Sequence, residues 1–101
     1  MPGWLTRWSL RRVRVRGVRA AEAPADVLLQ SVTVLRHFRA RILRCDVETG
    51  TLEARLPAGA RLRLSAVEET PGSRVTVETE GADWQGVART LAAELARGGP
   101  A

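Results

Sequence analysis

Hydrophobic and polar residues alternate with a period of two along residues 10–19. Val13 and Val15 point to one side, and arginines occupy the positions between them. This alternation predicts a strand with one buried face. Gly17 interrupts the pattern and predicts a bulge, which shifts Val18 into the inward set. The arginines predicted to point outward are Arg12, Arg14 and Arg16.

The same period recurs in four later segments, residues 39–48, 51–56, 61–68 and 74–80. Short turns rich in Gly and Pro separate these segments, and connections this short join antiparallel neighbours. The apolar residues that share one face of each predicted strand are Leu43, Cys45 and Val47, then Leu52, Ala54 and Leu56, then Leu62, Leu64 and Ala66, and finally Val75 and Val77.

Two segments have apolar residues at helical spacing instead. The first is residues 24–37, where Pro24 suits the first helical position and Asp26 suits the first turn. Its predicted apolar face consists of Leu28, Val32 and Leu35. A second helix is expected directly after Asp83, whose side chain is a good N-cap, and Gly98 is expected to end it. Its apolar stripe consists of Trp84, Val87, Ala88, Leu91, Ala92 and Leu95.

The predicted element order is β-α-β-β-β-β-α. Because each strand has one apolar face and each helix one apolar stripe, we expect an α+β two-layer sandwich. It has a five-stranded antiparallel sheet with both helices on one face. The first strand is expected to pair with the fifth, which sets the outward arginines beside Thr76, Glu78 and Glu80. The predicted organisation is a lead-in over residues 1–9, one domain over 10–97 and a tail over 98–101.

Four stretches of the chain carry a recognisable pattern. Residues 25–38 are predicted as a helix, 47–54 as two strands joined by a turn, and 73–77 as a further strand, while 82–86 start the last helix with an Asp followed by an aromatic residue. This arrangement resembles the helix-grip architecture, and in particular short bacterial domains of uncharacterised function. Larger helix-grip proteins hold apolar ligands between the sheet and a long C-terminal helix. The resemblance therefore implies a helix-grip-like fold and a small apolar ligand or a partner protein, although the last helix of this chain is short.

Positive charge is concentrated at the start of the chain. The first 19 residues contain six arginines and no acid, whereas the other 82 contain ten arginines and 11 acids. Two tryptophans interleave with the first arginines. The binding residues predicted from this Arg/Trp strip are Trp4, Arg7, Trp8, Arg11, Arg12, Arg14 and Arg16. Three alternatives stay open for the strip: a structural role, nucleic-acid binding through phosphates and stacked bases, and attachment to an acidic membrane surface.

Catalytic chemistry has few candidates in this sequence. His37 is the only histidine and Cys45 the only cysteine. At the end of a helix, His37 is expected to interact with the helix dipole. Alternation with Leu43 and Val47 predicts that Cys45 is buried. The paired acids Glu68 and Glu69 precede a turn and are expected to be solvated.

The sequence thus favours a non-enzymatic binding module with no cofactor and no metal. The predicted partner is a protein or a small apolar ligand. A nucleic acid, a membrane surface and a second copy of the chain are the alternatives. One cysteine excludes an internal disulfide, and no signal peptide or membrane-spanning run is recognised, so we expect a cytoplasmic location.

Overall fold

The computed structural model describes residues 12–57, 59–81, 83 and 85–97, and side chains at all of these positions except 12, 13 and 16. Within this part of the chain, strands and helices follow the predicted β-α-β-β-β-β-α order. The elements are β1 (Arg12–Ala20), α1 (Pro24–His37), β2 (Arg41–Asp46), β3 (Thr51–Arg55), β4 (Arg61–Glu68), β5 (Ser73–Glu80) and α2 (Val87–Ala96).

The strands form one antiparallel sheet in the order β1-β5-β4-β3-β2. This order confirms the predicted meander of β2 to β5 and the pairing of the first strand with the fifth. Arg14 stands opposite Glu78, and Arg12 stands opposite Glu80. The two ends of the sheet are therefore β1 and β2, which are far apart in the sheet but enclose α1 in the sequence.

β1 contains the bulge predicted at Gly17. The register shifts between Val15, opposite Val77, and Val18, opposite Val75. Gly17 has φ 72°, a left-handed conformation that glycine adopts without steric cost. Because of the extra residue, Val15 and Val18 both pack against the core, as predicted.

α1 begins and ends where the sequence predicts. Pro24 occupies its first turn, together with the acidic Asp26. At the other end, Arg39 has φ 61°, and the N–H of Ala40 donates to the carbonyl of Leu35 at 3.0 Å. This left-handed residue reverses the chain so that β2 starts two residues later.

α2 begins later than predicted. The expected start directly after Asp83 is wrong, because Gly86 adopts a left-handed conformation (φ 64°) and the helix starts at Val87. Asp83 nevertheless caps the helix. Its carboxylate oxygens accept hydrogen bonds from the N–H groups of Val87 at 2.8 Å and Ala88 at 3.0 Å. The side chain thus satisfies two of the N–H groups that the first turn leaves without an intrahelical partner.

Both helices cover the same face of the sheet. α1 packs on β2, β3 and β4, α2 packs on β1 and β5, and the two helices contact each other. The largest side chains removed from solvent between the layers are Leu28, Leu35, Leu52, Leu62, Leu64, Leu91 and Leu95. Full burial of a leucine stabilises the fold by roughly 1.5–3 kcal/mol, so this layer is the main stabilising feature.

The burial predicted for the apolar residues of β2 is wrong. Cys45 is exposed rather than buried, and Leu43 and Val47 are 43% and 54% exposed. The register of β2 shifts between Ile42 and Arg44. This bulge places Ile42, not Leu43, against the core. Cys45 stands opposite the inward Leu52, as predicted, but β2 is an edge strand and no described strand lies beyond it.

Neither helix in the described part of the chain has the length and apolar character needed to cross a membrane.

Candidate functional site

The sheet has a second face, opposite the helices, which we call the outer face. The inward positions of β3, β4 and β5 are buried, and alternate positions are exposed or partly exposed. Along these strands the outer positions are occupied by charged and hydroxyl side chains, with Val67 the apolar exception. Register across the strands arranges them in rows that run perpendicular to the strands.

One row alternates in charge across all five strands. Its members are Arg14, Glu78, Arg63, Glu53 and Arg44, each directly opposite the next. Nη2 of Arg14 lies 2.8 Å from Oε2 of Glu78, and Nη2 of Arg63 lies 3.1 Å from Oε1 of Glu53. We call this the ion-pair row. Its acids are neutralised by neighbours, so it adds little negative potential to the outer face.

The adjacent row is strongly basic. Arg61 stands opposite Arg55, and Arg55 stands opposite Arg41. All three side chains are exposed, and none forms an ion pair with another described residue. We call these residues the arginine row. Adjacent strands lie about 4.8 Å apart, so three guanidinium groups are anchored within about 10 Å.

The arginine row continues onto the other half of the sheet through Glu80, which stands opposite both Arg61 and Arg12. The side chain of Arg12 lies outside the described set. Like charges placed directly opposite each other destabilise a sheet, by an amount similar to that gained from opposite charges. The row is therefore a feature that the fold accommodates rather than one that stabilises it.

Hydroxyl groups form a third row on the other side of the ion-pair row. Thr76, Ser65 and Thr51 stand opposite one another on β5, β4 and β3. An open depression of about 290 Å³ lies over this part of the outer face, lined by Arg14, Arg63, Ser65, Thr76 and Glu78. Hydroxyl donors beside guanidinium groups are a suitable set for oxyanions.

Beyond the hydroxyl row, Glu69 joins the turn between β4 and β5 to two strands. Its carboxylate pairs with Arg19 of β1, and its Oε2 lies 2.8 Å from Nε of Arg74 of β5. Glu68 is exposed, and Glu69 is partly exposed and carries these two ion pairs as well. This contact could not be predicted from local sequence, because Arg19 and Glu69 lie 50 positions apart.

The predicted Arg/Trp strip falls mostly outside the described residues. Trp4, Arg7, Trp8 and Arg11 lie there, and the strip stays a prediction for them. Arg12 and Arg16 belong to β1, but only their backbone is described. Arg14 has a described side chain, which is exposed on the outer face and paired with Glu78.

His37 and Cys45 do not line either depression on the outer face. His37 is exposed at the end of α1, with its ring edge-on to Phe38 at 5.9 Å between centroids. Cys45 is exposed on the edge strand. Among the side chains that the structure describes, no group of three His, Cys, Asp or Glu residues is arranged to hold a metal ion.

The sequence contained a signal for the arginine row. The alternation that places Leu62 and Ala54 inward also places Arg61 and Arg55 outward. The alternation does not specify the register that brings these two residues opposite each other. It also does not specify the bulge that brings Arg41 beside them. The concentration of positive charge near the N-terminus predicts a binding surface at β1 instead.

Comparison of the chain with protein-family models and with curated proteins gave no match.

Proposed function

We propose that this protein is a non-enzymatic binding module whose outer sheet face binds the phosphate backbone of a nucleic acid. The observation that supports this most is the arginine row, in which three exposed arginines stand opposite one another and none forms an ion pair with a described residue, although Glu80 stands opposite Arg61. Guanidinium groups match phosphate oxygens in a bidentate geometry, and a bound phosphate strand would relieve their mutual repulsion.

The chemistry around the row favours contacts to the phosphate backbone over contacts to bases. The hydroxyl row and the depression lined by Arg14 and Arg63 extend the same set of donors across the face. No aromatic side chain lies on the outer face of the described strands, so stacking of bases has no platform there. Binding through phosphates alone is independent of sequence and strongly dependent on salt.

The burial of the described core residues supports a partner that acts at the surface. Leu28, Leu52 and Leu91, one from each helix and one from the sheet, have no exposed area between the layers. Both described depressions contain outer-face residues. This arrangement favours a surface partner over the apolar ligand that a helix-grip-like fold would hold inside. A cytoplasmic location, as expected from the sequence, would expose the face to nucleic acid.

The test is a salt titration of binding to a fluorescent oligonucleotide, with single-stranded RNA, single-stranded DNA and duplex DNA as separate arms. We expect log K to fall linearly with log salt concentration. The triple variant Arg41→Gln, Arg55→Gln, Arg61→Gln should reduce the slope by roughly two to three units, about one for each lost phosphate contact.

The matched control removes the same charge from the helix side of the molecule, through Arg36→Gln, Arg89→Gln and Arg97→Gln, all at exposed positions. Retained binding is expected for this control. An equal loss in both triple variants would mean that net charge alone attracts the oligonucleotide, and no binding by the natural chain at low salt would refute the proposal.

Stability separates this role from a structural one. Because the row places like charges together, the variant with Gln at these three positions should resist urea at least as well as the natural chain. A clear loss of stability would indicate that the arginines support the fold instead. Binding to vesicles of acidic lipid without binding to any oligonucleotide would assign the face to membranes and contradict the proposal.

A further inference from the structure

β2 has an edge that pairs with no other described strand, because it stands at the end of the sheet. An edge strand presents unpaired N–H and C=O groups to the solvent, and these groups can pair with another strand. Natural proteins protect such edges with charges or bulges, or cover them. β2 has a bulge between Ile42 and Arg44, but the residues after it, from Arg44 to Asp46, follow regular register with β3.

Exposed apolar side chains are concentrated on the same strand and at its end. Leu43 is 43% exposed, Val47 is 54% exposed, and Cys45 between them is exposed as well. The other large exposed apolar residues of the described chain, Leu29 and Val67, lie on different elements. Apolar side chains grouped along an open edge indicate a surface that is covered by a partner.

Charges on β2 indicate which partner. Arg44 stands opposite the outward residue Glu53, and Asp46 stands opposite Thr51, so Arg44 and Asp46 lie on the same face with Cys45 between them. A basic and an acidic residue that flank one position symmetrically are self-complementary when two identical strands run antiparallel about that position.

We propose that β2 pairs antiparallel with β2 of a second copy of this chain, with the two-fold axis at Cys45. Arg44 then faces Asp46 of the partner subunit, and the partner's Arg44 faces Asp46. Leu43 faces Val47 of the partner subunit, so the exposed apolar side chains cover each other.

Asp46 can make this contact without giving up its local role. Its Oδ1 accepts hydrogen bonds from the N–H groups of Glu48 at 3.0 Å and Thr49 at 3.3 Å, which close the turn into β3. Its Oδ2 remains for a guanidinium group. A register shifted toward Arg41 would also pair opposite charges, Arg41 with Asp46, but it leaves Val47 beyond the paired segment.

The two-fold axis makes this register testable through the single cysteine. Directly opposed residues of an antiparallel pair have Cα atoms about 4.5–5.5 Å apart, a separation that a disulfide can span. Two Cys45 thiols should therefore react with oxidised glutathione to give a disulfide-linked dimer and two molecules of reduced glutathione. Monomers with mixed glutathione disulfides as the sole product would overturn the proposed register.

A charge-exchange experiment tests the pairing itself, using the reduced full-length chain in sedimentation or light-scattering measurements. Arg44→Glu places two acids opposite each other at both ends of the pair, and Asp46→Arg places two cations there. Each variant alone should dimerise about tenfold or more less tightly than the natural chain, since two attractive contacts become repulsive. An equimolar mixture of the two variants should recover dimers, because every contact again joins opposite charges.

Circular dichroism of each variant verifies that the sheet is intact. The matched control is Arg89→Glu on α2, which packs on the opposite side of the sheet and should leave dimerisation unchanged. A natural chain that stays monomeric at concentrations of about 100 μM, or a folded mixture of variants that does not recover dimers, refutes the proposal. This inference does not depend on the proposed nucleic-acid binding, because no measurement in it includes a polyanion.

Discussion

The two edge strands, β1 and β2, both contain a bulge, and after each bulge a residue stands opposite a buried one, Val18 opposite Val75 and Cys45 opposite Leu52, yet only β1 has its residue packed on the core. In β1 the bulge at Gly17 returns Val18 to the core, so the apolar residues on both sides of it are used in packing. In β2 Leu43 lies in the bulge and is exposed, Cys45 is exposed although it stands opposite the inward Leu52, and Ile42 alone contacts the core. A bulge marked by glycine can be recognised in a sequence, whereas one without glycine cannot.

The cover over the two strands differs as well. α2 packs against β1, and the turn after β4 joins β1 through the Arg19–Glu69 contact. α1 packs against β2, and no described strand pairs with the other edge of β2. Alternation therefore predicts burial only where a second layer covers the strand.

The largest difference in stability is expected between alanine substitutions at two glycines, Gly50 in the β2–β3 turn and Gly17 in β1. Both have positive φ, but a methyl group at Gly50 would overlap the carbonyl oxygen of Ala66, whereas one at Gly17 meets open space. We expect Gly50→Ala to lower the free energy of unfolding by about 3–5 kcal/mol, combining backbone strain with the clash. Gly17→Ala should cost about 1–2 kcal/mol from strain alone. Urea unfolding of both variants measures the difference, and equal losses would contradict this account of the two turns.

An intermediate effect should test the bulge in β2, which places Ile42 rather than Leu43 against the core. Ile42→Ala removes a side chain that packs on the core and should cost about 2 kcal/mol. Leu43→Ala removes one that is 43% exposed and should cost about 0.5 kcal/mol. The measurement is urea unfolding at low protein concentration, where association is negligible. A larger loss of stability for Leu43→Ala would indicate that Leu43, not Ile42, packs on the core, and would contradict the bulge.

The smallest effect concerns ion pairs at the two ends of the ion-pair row. A double-mutant cycle on Arg14 and Glu78 should give a coupling of about 0.5 kcal/mol, since both side chains are partly exposed and in contact. The same cycle on Arg44 and Glu53 should give less, because Glu53 pairs with Arg63 instead. Coupling of equal size at both ends would show that position in the row, not the observed pairing, sets the interaction.

Much of the architecture could be predicted from the sequence. Regular alternation in β3 to β5 specifies which residues are inward, and Pro24 with the apolar stripe after it specifies α1. The start of α2 could not be predicted, because Asp83 caps the helix from three residues before its N-cap residue, Gly86. A carboxylate that reaches across a turn leaves the same sequence pattern as one that lies at the N-cap itself.

The candidate site was predicted only at β1. Arg14 was expected on the outer face beside Glu78, and this is confirmed. The arginine row was missed because it depends on which residues of three strands stand opposite one another, and turn lengths and a bulge without glycine decide that. Local sequence specifies the face of a residue, but contacts between strands specify its neighbours.

The pairing of the first strand with the last has a consequence during synthesis. Arg14 and Glu78 are separated by 64 positions, so β1 leaves the ribosome well before the strand that completes its hydrogen bonds. Contacts that close such long loops form slowly, and a strand waiting for them is open to other partners. We expect the like-charged arginines of β1 to keep this segment of the nascent chain solvated during the interval and so to oppose premature association.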